Sequence, residues 1–201
     1  MAFEDFTLPQ LLQRFQLTYG EASLFGAVPE QAPGEWLTQT LKETVPLGLA
    51  LSNEKARSEM IIAPILVEVR RLLDHRVGLF SGVEFDVDAS QGLTGVCDFI
   101  LSHSSEQLFL TAPAVTIVEA KQENIRGGIG QCAAEMVAAQ IYNERAQRPV
   151  AAVYGAVTTG DNWRFMRLVG AALTLDSDEY LLPQLAKILG ILRATADPPR
   201  G

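Results

Sequence analysis

Histidine and cysteine are both scarce, at two residues each in a chain of 201. Cys97 and Cys132 form no Cys-x-x-Cys pair and are too few for a disulfide framework or a zinc cluster. They read as buried small hydrophobes. With only His75 and His103 available, a zinc site of three histidines is excluded. Any metal must then rest mainly on carboxylates, which favours Mg²⁺ or Mn²⁺, the hard cations that prefer oxygen. No apolar run approaches the roughly 20 residues that span a bilayer, so no membrane partner is expected. The opening MAFEDFTLPQ carries Glu4 and Asp5 where a secretory signal carries positive charge, and a cytoplasmic location is expected. Basic residues are also in deficit, 16 against 24 acidic, for a net charge of −8. That balance argues against a protein whose main task is to coat nucleic acid, which needs a basic surface to displace counterions.

Hydrophobic residues make up 48% and charged ones 20%, enough apolar surface for one globular domain with a sizeable core. Residues 1–51 read as an N-terminal helical extension packed on that core. Leu8, Leu11, Leu12, Phe15 and Leu17 give one apolar stripe and Trp36, Leu37 and Leu41 another, joined by the turn-rich AVPEQAPGE. From Ser52 to Asp74, Ile61, Ile62, Ile65, Leu66, Val69, Leu72 and Leu73 recur at helical spacing. Ser52 or Asn53 is placed to cap that helix, and Pro64 should kink or split it.

The period then changes from helical to two. GVEFDVD, GVCDFIL and AVTIVEAK read as three strands, the first an outer one with a wet face. A glycine-punctuated turn, RGGIGQ, should lead into a long helix ending near Arg145. PVAAVYGAV reads as a buried strand parallel to an earlier one, GDNW as a turn and RFMRLVG as a further strand. A last helix is expected from about Asp178 to Arg193, with residues 197–201 as a frayed tail. The order implies an α/β fold, a sheet with helices on its faces.

Asp98, Glu119 and Lys121 stand out because their same-face neighbours are apolar. A carboxylate near a core must be paired, hydrogen-bonded or bound to metal. If the two strands are neighbours, Asp98 and Glu119 come within reach of a common cation, and Lys121 lies on the same side as Glu119. Two carboxylates, phosphate oxygens and water make an Mg²⁺ site, and the lysine can orient the attacking water or stabilise developing charge. Composition alone yields about half an acid-x-Lys spacing in such a chain, so the motif carries weight through its context. The bland alternative for Glu119 and Lys121 is an ion pair at a strand end.

In that context the sequence resembles the PD-(D/E)XK nuclease superfamily, with GVCDFIL as the Asp-bearing strand and IVEAK as the Glu-x-Lys strand. The resemblance covers about residues 52–170. SEMIIAPIL, EAK with a helical Gln131, and YGAVTTGDNWRF look most like the nuclease domain of type I restriction subunits. It implies a restriction-endonuclease-like core, α-β-β-β-α-β, over residues 52–196, acting on DNA with Mg²⁺ or Mn²⁺, in many relatives as a homodimer. It also implies that Asp98, Glu119 and Lys121 are catalytic and that Asp98 and Glu119 bind metal. Glu59 from the first helix would complete the metal site, with Glu68 as a substitute, and Gln131 would contact substrate; Arg126, read from its charge rather than from the resemblance, is a candidate phosphate contact or a solvated residue. The helix carries Gln131, Glu135 and Tyr142 without the Gln-x-x-x-Tyr spacing of one nuclease branch. The net-positive stretch 121–167, with six basic and four acidic groups, suits a phosphate-facing role or a solvated helix face. Two readings compete with a nuclease: a catalytically silent module on the same fold that binds nucleic acid or a partner protein, and a phosphoesterase acting on small molecules.

Overall fold

A computed structural model of the chain describes residues 1–51 and 53–197. The chain folds as α/β, with one seven-stranded mixed sheet flanked by helices. The helices are α1 (Leu8–Arg14), α2 (Glu35–Leu51), α3 (Glu54–Arg57), α4 (Ala63–Leu72), α5 (Ile125–Arg145) and α6 (Leu185–Ala196). The strands are β1 (Thr18–Ala22), β2 (Gly78–Glu84), β3 (Val96–Ser102), β4 (Ala114–Ala120), β5 (Val153–Thr158), β6 (Asn162–Val169) and β7 (Ala172–Leu181), in sheet order β1-β7-β6-β5-β4-β3-β2. β2, β3 and β4 form an antiparallel meander, and β5 returns beside β4 in parallel after the α5 crossover. A crossover helix is what parallel neighbours require. Among the described residues no helix is long and apolar enough to cross a membrane.

Apolar side chains on the two faces of the sheet make two cores. One joins α5 and α1 to Cys97, Ile100 and Ile117, and the other joins α2, α4 and α6 to Phe99, Leu101 and Val118. Both cysteines are buried and free.

The helix expected from Ser52 is built in three pieces. Ser52 lies outside the described residues, and Asn53 caps α3, its Oδ1 accepting from Ala56 N at 2.8 Å. A π-helical turn, Ser58–Ile62, joins α3 to α4 where Pro64 enters. Pro64 has no N–H to offer the Met60 carbonyl four residues earlier. Thr44 Oγ1 on α2 donates to that carbonyl instead, at 2.6 Å.

Four expectations need correction. The N-terminal extension is not wholly helical, because Thr18–Ala22 adds a strand to the sheet in parallel with β7. The outer strand is Gly78–Glu84, so the segment from Phe85 to Asp88 lies beyond it. The glycines of RGGIGQ lie inside α5, which starts at Ile125 behind the cap residue Asn124. Finally, Asp178 belongs to β7, and the last helix begins only at Leu185. Of the expected tail, residues 198–201 lie outside the described residues, and Asp197 pairs with Arg76 at 3.1 Å.

Candidate active site

β3 and β4 pair as far as Phe99 opposite Val118 and then part. β4 continues on β5, with Ala120 opposite Thr158 and Lys121 N donating to Thr158 O at 2.8 Å. In the gap, the Asp98 carboxylate takes the place of the missing strand, its Oδ2 accepting from Ala120 N at 2.8 Å. The backbone donor that loses its ladder partner is thereby satisfied by a side chain.

Glu119 points away from solvent, 1% exposed, and its Oε1 accepts from Lys121 Nζ at 2.6 Å. Lys121 Nζ also donates to Gln131 Oε1 at 3.1 Å, and Gln131 Nε2 donates to Glu135 Oε1 at 3.2 Å. Glu135, on α5, is fully buried. The second oxygens of Glu119 and Glu135 have no hydrogen-bond partner among the described residues. α5 approaches this closely because residue 128 is glycine. A Cβ there would stand 2.7 Å from Val157 Cγ1 and 3.0 Å from Lys121 Cγ and Cε.

Burial pushes the Glu119 carboxyl up to about 8, with the Asp98 carboxylate adding to the rise and Lys121 opposing it. Burial, then the Glu119 charge, raises Glu135 well above the carboxylate range. Burial also raises Asp98, against the hydrogen bond from Ala120 N. Burial works to lower Lys121, but the charge of Glu119 outweighs it and the ammonium is held above its ordinary value.

Asp98 and Ala120 also line a cleft of about 260 Å³ with Glu54, Lys55, Ser58, Glu59, Ser81 and Gly82. Glu59 is therefore near Asp98, but its side chain is exposed and paired with Lys55 Nζ at 2.7 Å. The helical acid whose charge acts on Glu119 and Lys121 is Glu54, in the first turn of α3. Glu68 is engaged elsewhere, accepting from Gly34 N at 2.7 Å and Arg71 at 3.1 Å. Arg126 stands exposed on the first turn of α5. Gln131, besides holding Lys121, lines a second opening of about 290 Å³ with Ala2, Phe3, Glu4, Gly95 and Val96. Trp163 is core, its Nε1 donating to Gly160 O at 3.1 Å.

The structure thus brings Asp98, Glu119, Lys121 and Gln131 together, leaves Glu59 at the cleft rim and adds Glu54 and Glu135. No group of three or more His, Cys, Asp or Glu side chains among the described residues is arranged to hold a metal ion. The donor chemistry nevertheless fits a hard cation at Asp98 and Glu119: two carboxylates, one with a buried oxygen that no protein donor satisfies. The chain matches no protein-family model, and no curated protein matches it.

Proposed function

We propose that this chain is a metal-dependent nuclease of the PD-(D/E)XK type that hydrolyses phosphodiester bonds in DNA. The observation that carries the reading is the meeting of Asp98, Glu119 and Lys121 where β3 and β4 part, beside a cleft that Asp98 lines. The order α4, β2, β3, β4, α5, β5, with β5 parallel to β4, supports a restriction-endonuclease-like core.

In this reading Asp98 and Glu119 hold Mg²⁺ or Mn²⁺, and Glu59 or Glu54 assists from the cleft wall. A cation held there would supply Lewis-acid stabilisation of the phosphate. Lys121, held by Glu119 and Gln131, places its ammonium where it can orient the attacking water or offset charge developing on phosphate oxygens. Water adds at phosphorus as one P–O bond breaks, and the leaving oxygen takes a proton. Gln131 and Arg126 contact the DNA, and a homodimer would present two such sites to a duplex. The engagement of Glu119 by Lys121, deep beside Glu135, favours a second reading, a catalytically silent module of this fold that binds nucleic acid or a partner protein.

Cleavage of supercoiled, linear and single-stranded DNA with Mg²⁺ or Mn²⁺ separates the two. The wild type should cut, Glu119→Ala should not, and Lys121→Ala should lose about 100-fold or more in rate while keeping its fold by circular dichroism. Undiminished cleavage by Lys121→Ala would overturn the assignment. Calorimetric titration with Mn²⁺ should show saturable binding that Glu119→Ala removes; absence of binding in the wild type favours the silent module.

A further inference from the structure

Gln131 has one chemically consistent orientation. A lysine ammonium only donates, so the amide oxygen must face Lys121, and the amide nitrogen then faces Glu135 Oε1. Reversing the amide would set NH₂ against ammonium and lose the hydrogen bond to Lys121. Glu135 lies one helical turn beyond Gln131 and is wholly buried, a costly place for an acid that an apolar residue would fill more cheaply. What its carboxyl does there is accept from the amide nitrogen and so anchor the amide. The amide in turn gives the Lys121 ammonium a second acceptor besides Glu119, while Gly128 lets the backbone of α5 lie against the lysine stem.

We propose that Glu135 is a positioning residue which, through Gln131, sets where the Lys121 ammonium stands. The catalytic consequence rests on the nuclease reading above; the placement of the ammonium does not. Glu135→Met keeps the volume and removes the acceptor. Glu135→Gln keeps the volume and an acceptor for Gln131.

The test uses the full chain and reads two things. The first is the ¹H–¹⁵N spectrum of the lysine ammonium groups, tractable because the chain has four lysines, with Lys121 assigned by its loss in Lys121→Ala. The second is steady-state DNA cleavage with Mn²⁺. Glu135→Met should shift or broaden the Lys121 signal and cut kcat by about tenfold or more with KM nearly unchanged, at an unfolding temperature no lower than that of the wild type. Glu135→Gln should restore both signal and rate. Should Glu135→Met fail to fold, Gln131→Leu, at a half-buried position, should produce the same loss of the ordered ammonium. A Lys121 signal unmoved in the folded variants overturns the proposal, whether or not the wild type cleaves. A moved signal in a wild type that cuts no DNA upholds the positioning role and removes the nuclease reading instead.

Discussion

Glu119 carries the largest electrostatic cost on β4, and that cost has a pH dependence of known sign. In the unfolded chain its carboxyl ionises in the ordinary range near 4.5, whereas in the fold it keeps its proton up to about 8. Between those limits the fold binds more protons than the unfolded chain, so stability is full below the lower limit and falls as pH rises through the window. Asp98 and Glu135, both raised, act in the same direction. With chelator present, the unfolding temperature should fall by about 3 °C or more between pH 5.5 and 8.5, and Glu119→Gln should flatten the fall. A wild-type curve that is flat or rising over that range would contradict the burial of this acid. At this scale the sequence was partly legible. Asp98, Glu119 and Lys121 could be found because a charge on an apolar strand is conspicuous. Glu54 and Glu135 could not, because acids are common on helices and nothing in one-dimensional spacing separates a solvated glutamate from one turned into the sheet.

The elements were legible where one face of a segment is buried, and obscure where it is not. β1 is exposed along its whole length, so it has no alternation to read. β7 breaks its period with Asp176, a fully buried acid whose oxygens accept from Leu24 N at 3.1 Å and from Tyr180 Oη at 3.0 Å. Glycine misled for a different reason. In RGGIGQ it serves close approach rather than turning: a Cβ at Gly130 would run into the Phe6 carbonyl and lie 2.7 Å from Leu8 N. Backbone yields less readily than side chains, so Gly130→Ala should cost about 1–3 kcal/mol, read as a lower urea midpoint at unchanged slope. An unchanged midpoint would mean that the segment before α1 does not rest on α5.

Across the whole molecule the order of helix, three strands, long helix and buried parallel strand was legible in the sequence, because those segments switch between the two hydrophobic periods, whereas the pairing of the three strands as a meander was implied only by the resemblance. The widening of the sheet to seven strands did not, since pairing partners at its far edge are set by backbone geometry rather than pattern. The result places β4 in the sheet interior, buried at every residue. Strands of that kind lie at the high end of the range of local opening free energies.

Where β3 leaves β4, the Ala120 amide is held by a carboxylate rather than by a neighbouring strand. In hydrogen–deuterium exchange this amide should be protected nearly as well as that of Val118, although no ladder covers it on the β3 side. Asp98→Ala should release it to faster exchange by about tenfold or more while Val118 stays slow, since a hydrogen bond to a charged group contributes about 1.5–3 kcal/mol. Equal exchange of Ala120 in both proteins would show that Asp98 does not close the gap. A single backbone proton thereby reports on whether the carboxylate is engaged with its own strand or drawn toward something in the cleft.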